Sequence, residues 1–284
     1  MTVRWWIKQH RLGLLWFGLA CLIAYATVPA LILVFGVDRW VLSRSDPEAT
    51  HEEWRHVVTS EEGRGVAVRR YADAHGSKCV IFFPGQHGGI ARYEHDLLPM
   101  LRIDGYSLYT LSYPGQDGAP GRATLSNLPG DVDRALSFLA DGQLCNMSSS
   151  LFVGRSFGAS VAILEAAKLH PRGLLVEGVS PDLSTAIRAR MRRHVVTWAW
   201  QWLPIGALAP AVGDLKPVLA DWQGTPMVAF QGTADNVTPF QAASALMVNR
   251  PGVRLEAVSG GGHENTYLVA APAYRAALVE LSRR

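Results

Sequence analysis

Cysteine is scarce in this chain, and so is charge. Three cysteines in 284 residues, at positions 21, 79 and 145, do not make a disulfide scaffold, and their spacing matches no zinc motif. Charged residues are only 18% of the composition and the net charge is +3, too small a field to draw nucleic acid. No basic run is interleaved with aromatics in a way that would stack bases. No internal repeat of about 20–50 residues is visible, which removes solenoids and propellers. Low-complexity tracts are absent too, and hydrophobic residues reach 49%, so the chain is not of the disordered class. The length fits one large α/β domain with an extra segment.

The extra segment is near the N-terminus. Residues 12–37 are almost continuously apolar and carry no charge. At about 1.5 Å per residue they can cross a ~30 Å hydrocarbon core with some tilt, and Pro29 can kink such a helix. Ala24-Tyr25-Ala26 resembles a signal-peptide cleavage site, but the apolar run continues well past it. Gly18-Leu19-Ala20 before Cys21 lacks the leucine expected of a lipoprotein site. An uncleaved anchor is therefore the expectation. Arg4, Lys8 and Arg11 precede the span, while Arg39 and Arg44 follow it among Asp38, Asp46 and Glu48. That bias puts the N-terminus in the cytoplasm and the main domain outside it, with Trp5, Trp6 and Trp40 at the interfaces. The organisation expected is a flank at 1–11, an anchor at 12–37, a linker at 38–53 and one domain at 54–284.

Within that domain strands alternate with helices. Strands are expected at 54–59, 66–71, 78–83, 107–111, 150–153, 174–177, 227–231 and 254–258. Helices are expected at 93–101, 129–139, 159–169, 240–247 and 271–281. Such alternation means a mostly parallel sheet covered on both faces. Residues 180–224 break it, being too long for a plain connection. They start with Arg188, Arg190, Arg192 and Arg193, then turn Trp-rich at Trp198, Trp200 and Trp202. The reading is a helical cap over the site, with Trp198 and Trp202 offered to substrate; the alternative is a helical layer on the sheet edge.

The chemistry gathers at Gly154-Arg155-Ser156-Phe157-Gly158, where an apolar strand passes straight into an Ala-rich helix pattern. Such a corner lifts a serine hydroxyl to the top of a sheet, at a helix N-terminus whose unpaired N–H groups favour negative charge. His263, after three glycines and the last strand, is the candidate base. Asp235, after the preceding strand, is the candidate acid, and the order Ser, Asp, His suits this architecture. Glu177 and then Asp182 are the rival acids. The oxyanion donors are expected to be the backbone N–H groups of Phe157 and Gln86. His87 is read as lining the site mouth.

These pieces resemble an α/β-hydrolase, and more narrowly the Bem46-like membrane-anchored serine hydrolases, over about residues 54 to 283. The matching stretches are Pro84-Gly85-Gln86, Ser112-Tyr113-Pro114-Gly115-Gln116-Asp117-Gly118, Gly154-Arg155-Ser156-Phe157-Gly158-Ala159, Gln231-Gly232-Thr233-Ala234-Asp235 and Gly261-Gly262-His263. Pro84 and Gln86 depart from the group's histidine and asparagine, and the cap matches poorly. The resemblance implies an α/β-hydrolase fold and hydrolysis of an ester, thioester or amide, and the acyl-enzyme mechanism expected of Ser156, His263 and Asp235 requires no metal or organic cofactor. A small acylated or lipid-like substrate is the expectation. The alternatives are a peptidase or amidase on the same triad, and a tethered binding protein without turnover. In this fold Cys79 and Cys145 precede neighbouring strands. Two buried thiols are the expected state, and a disulfide is the alternative for a domain outside the cytoplasm.

Overall fold

The computed structural model describes residues 3–42, 51–86, 89–208 and 213–284. Eight strands form one sheet in the order β1-β2-β4-β3-β5-β6-β7-β8. They are β1 (Trp54–Thr59), β2 (Gly65–Ala72), β3 (Cys79–Phe83), β4 (Ser107–Ser112), β5 (Leu151–Arg155), β6 (Gly173–Glu177), β7 (Met227–Gly232) and β8 (Val253–Val258). Strand β2 is antiparallel to both β1 and β4, and every other pairing is parallel. This is the α/β-hydrolase fold. The helices are α1 (Val3–Phe35), α2 (Val37–Val41), α3 (Leu97–Leu101), α4 (Leu128–Asp141), α5 (Phe157–Leu169), α6 (Leu183–Arg192), α7 (Ile205–Leu208), α8 (Leu215–Ala220), α9 (Phe240–Met247), α10 (Thr266–Val269) and α11 (Ala271–Arg283).

The central strands are apolar at every position because both faces of the sheet are covered. Strand β3 shows the division. Cys79, Ile81 and Phe83 point into one core with residues of α4 and α5, while Val80 and Phe82 point into the other with α3 and α11. All five are fully buried, and each large side chain contributes roughly 1.5–3 kcal/mol on leaving water. The parallel arrangement brings the carboxyl ends of β3, β5, β6, β7 and β8 to one edge of the sheet. In open α/β sheets that edge is where ligands bind.

Three local expectations change, while the apolar run forms the expected helix. The helix expected over 93–101 is a 3-10 turn at Ile90–Tyr93 followed by α3, because Asp96 starts a new helix by accepting a hydrogen bond from the Leu97 N–H. The apolar N-terminal run becomes α1, which passes Pro29 and ends before Gly36. The segment read as the end of the anchor and the start of a linker forms α2 and, with Leu42, docks instead. Val37, Val41 and Leu42 are buried in the domain core, and the Asp38 carboxylate accepts a hydrogen bond from the Leu125 N–H at 2.8 Å. Val37 and Val41 fall four residues apart on one helix face, which is why the segment packs. Finally, Cys79 and Cys145 form a disulfide, with Cα atoms 5.6 Å apart, rather than two thiols. Cys145 sits in the turn before β5, beside the start of β3, so the strand pairing itself brings the two sulfurs together.

The insertion between β6 and β7 is helical: α6, a 3-10 turn at Trp198–Trp202, α7 and α8. Asp182 caps α6 by accepting from the Thr185 N–H and ties it to α8 through Lys216 at 2.6 Å. Helices α1 and α2 both touch this insertion. The Tyr25 hydroxyl donates to the Val196 carbonyl, its ring packs 5.3 Å from Trp200, and the Arg190 guanidinium lies 5.0 Å above the Trp40 ring.

Candidate active site

Ser156 stands between β5 and α5 with φ 55° and ψ −121°, a conformation that L-residues rarely adopt. Neighbouring elements hold it there. Its N–H donates to the Glu177 carbonyl on β6 at 2.8 Å. The flanking glycines are required by close approach. A Cβ on Gly154 would stand 2.6 Å from the Gly158 carbonyl oxygen, and one on Gly158 would stand 2.1 Å from that of Phe83. Strand and helix can meet this tightly only without side chains, and the turn projects the serine hydroxyl outward.

The three expected side chains converge. Ser156 Oγ is 2.9 Å from His263 Nε2, and His263 Nδ1 is 2.9 Å from Asp235 Oδ2. Asp235 accepts three more hydrogen bonds, from the Val237 and Thr238 N–H groups at 2.8 Å and from the Thr238 hydroxyl at 2.7 Å. Burial raises this carboxyl's pKa, but His263 and the Thr238 donors outweigh burial and hold it below the ordinary aspartate value. An ionised, fully bonded Asp235 orients the imidazole with Nδ1–H toward itself and leaves Nε2 free to accept from serine.

Glu177, the rival acid, does not reach His263 Nδ1. It ends β6 fully buried, and burial pushes its carboxyl up to about 7 against the pull of Arg155. Asp182, the other rival, is occupied at the α6 cap. The partner of Glu177 is Arg155, the last residue of β5, to which the sequence alone assigns no role. Arg155 is buried, 3.5 Å from Glu177, and donates to the His263 carbonyl at 2.5 Å. Its guanidinium also lies 5.7 and 5.5 Å from the Tyr93 and Tyr267 rings. It therefore clamps the histidine loop to the nucleophile strand. The only local hint was an arginine inside an otherwise apolar buried strand, where a charge needs partners.

Gln86 lines the cleft together with Ser156, and Phe157 follows the serine in the chain. Phe157 opens α5, so its N–H has no acceptor within the helix. Gln86 follows β3, and its carbonyl accepts from the Gln116 side chain at 2.8 Å. Gln116 belongs to the loop after β4, which Asp117 secures by accepting from the Ile90 N–H and the Ser112 hydroxyl at 3.1 and 2.8 Å. The backbone N–H groups of Gln86 and Phe157 are the candidate donors to a carbonyl oxygen after attack by Ser156.

A cleft of about 190 Å³ opens over these groups, lined by Ser156, His263, Gln86, Tyr93 and a set of arginines. His87 lies outside the described residues. Trp198 and Trp202, expected in the substrate site, are not among the lining residues. They pack edge to face on the outside of the insertion, 53% and 74% exposed. The 3-10 turn rotates them away from the cleft, which the spacing of three tryptophans could not reveal.

No family model and no curated sequence matches this chain. Solved structures do. An esterase from Pyrococcus furiosus superposes with a TM-score of 0.69 at 16% identity, covering 85% of this chain and 96% of its own. An esterase from Exiguobacterium antarcticum gives 0.59 at 15%, covering 81% and 100%. An α/β hydrolase from Novosphingobium aromaticivorans gives 0.59 at 17%, covering 83% and 99%. At such identities the likeness establishes the fold, and that fold is the α/β-hydrolase fold.

Proposed function

We propose that this chain is a membrane-anchored serine hydrolase that cleaves an ester or thioester of an acylated, lipid-like substrate. One observation carries the reading: the unbroken relay from Ser156 through His263 to Asp235, each contact 2.9 Å. As His263 takes its proton, Ser156 Oγ attacks the carbonyl carbon, and the charge on oxygen falls to the N–H groups of Phe157 and Gln86. The tetrahedral species collapses, the bond to the leaving atom breaks, and His263 returns the proton to that atom. Water then repeats the sequence on the acyl-enzyme, releasing the acid and restoring serine. The esterases of the same fold named above are consistent with this chemistry.

The membrane part rests on α1. Its stretch Gly13–Phe35 is 23 residues long with a mean hydropathy of 2.3, sufficient in length and composition to cross a bilayer. Tyr25 lies ten residues before Phe35, roughly 15 Å along the axis, yet it bonds to Val196 of the insertion. Val195, Val196, Trp198 and Trp202 are exposed on the same part of the insertion. In our reading these side chains rest in the bilayer and bring the cleft down to the lipid surface. The disulfide between Cys79 and Cys145 supports a domain outside the cytoplasm.

Ser156→Ala tests the mechanism. Fluorophosphonate labelling and p-nitrophenyl ester turnover should both disappear, with kcat falling about 10⁴-fold or more. Retention of both in the variant would rule the mechanism out.

A further inference from the structure

Ser156 faces two different spaces. On one side is the cleft described above, whose wall includes Arg92, Arg155, Arg190 and Arg193 against one carboxylate, Glu264. On the other, a narrow groove leaves Ser156 past Phe157, Leu125 and Leu183, and a second apolar cavity continues it along α5 past Leu128 and Leu164. Gln86 borders both sides, whereas His263 lines the arginine cleft and not the groove. That asymmetry orients the substrate. The histidine must hand its proton to the leaving atom, so the leaving half lies with the arginines and the acyl chain lies in the groove.

The arginines are not equivalent. Arg92 and Arg155 are engaged with Glu264, at 2.9 and 3.5 Å. Arg190 and Arg193 have no carboxylate within ion-pair distance among the described residues, although they are three residues apart on one face at the end of α6. The Arg190 guanidinium carbon lies 5.0 Å over the Trp40 ring, a contact that restrains the side chain at the cleft wall. His194 follows at the rim.

We infer that Arg190 and Arg193 form a subsite for an anionic group on the leaving half of the substrate. The substrate class is then an apolar acyl ester or thioester of an alcohol or thiol that bears a phosphate or carboxylate. The inference rests on the hydrolase reading above. When the acyl carbon bonds to Ser156 Oγ and its bond to the leaving oxygen or sulfur breaks, that atom takes the proton from His263. The product departs as an anionic alcohol or thiol.

The test compares two chromogenic esters with the same acyl chain, 4-nitrophenyl octanoate and 3-carboxy-4-nitrophenyl octanoate, on the full-length protein. The wild type should prefer the anionic ester. In Arg190→Gln/Arg193→Gln the ratio of the two kcat/KM values should fall about tenfold or more, mainly through KM of the anionic ester. Arg193→Lys should keep most of the preference, and salt raised from about 0.05 to about 0.5 M should weaken it. If the double variant loses fluorophosphonate labelling, Arg193→Gln alone, at an exposed position, carries the comparison. Turnover of both esters with the same ratio in wild type and variants overturns the subsite and leaves the hydrolase reading intact. Turnover of neither by the wild type overturns both. Competitive inhibition by dodecyl phosphate but not glycerol 3-phosphate assigns the anion to a lipid, and the reverse assigns it to a soluble compound. Inhibition by neither overturns the subsite.

Discussion

Adding one methyl group at Gly158 should disable the site without touching a catalytic side chain. A Cβ there would stand 2.1 Å from the Phe83 carbonyl oxygen and 2.3 Å from that of Pro84. Ordinary contact begins near 3.4 Å, so the two backbones must separate by about 1.3 Å. Both opposing atoms are main chain, and no flexible side chain can yield. The segment pushed away is the start of Pro84-Gly85-Gln86, which carries the proposed oxyanion donor Gln86. A misplacement of about 1 Å at a reacting centre costs roughly 10²-fold, and loss of a donor roughly 10²–10³. Overpacking should also lower stability by about 1–3 kcal/mol, near 2–4 °C of Tm for each kcal/mol in a chain of this size. The assay is kcat/KM on a p-nitrophenyl ester, with labelling rate and Tm measured on the same preparation. Gly76→Ala is the control, because the nearest atom to a Cβ there is the Ala74 oxygen at 3.9 Å. A folded Gly158→Ala protein with kcat/KM within about twofold of wild type would refute the reasoning, since backbone accommodation of that size must move Gln86 or Ser156.

Asp235→Asn should lower kcat by about 10⁴ by favouring the wrong histidine tautomer, measured on the same ester. Asp235 also has a pH signature. Its folded pKa lies below the ordinary value, so its contribution to stability is present above about pH 4 and is lost as pH falls through the folded value. The acid limb of Tm against pH should therefore be shallower in Asp235→Asn, and an unchanged limb would contradict the assignment. The disulfide closes a sequence separation of 66 residues, for which chain entropy assigns about 4 kcal/mol. Cys79→Ser/Cys145→Ser should thus melt roughly 10 °C lower. Thiol alkylation before and after reduction, read by mass, checks the bond itself. Two alkylatable thiols at these positions without reductant would refute it.

Much of this architecture was legible because it is written locally. Continuous apolar runs of strand length mark strands buried on both faces, and β1 and α9 begin and end where the residue pattern places them. Ser156, Asp235 and His263 could be picked out because each sits in a short glycine-containing connection after a strand. Parallel topology then delivers all three to one edge of the sheet. The rival Glu177 shows the limit of such reading. It also follows a strand, and only the path of the chain decides that it faces Arg155 instead of the imidazole.

Residue order alone therefore determined the strand and helix succession, the candidate nucleophile, base and acid, and the apolar span. These depend on periodicity, turn chemistry and connection order, all carried by nearby residues. Tertiary structure decided the rest. It paired Cys79 with Cys145, drew α2 into the core, set Arg155 under the histidine loop, and turned Trp198 and Trp202 out of the cleft while Arg190 and Arg193 turned in. Each outcome depends on where a side chain points after distant segments pack, and no spacing along the chain encodes that direction.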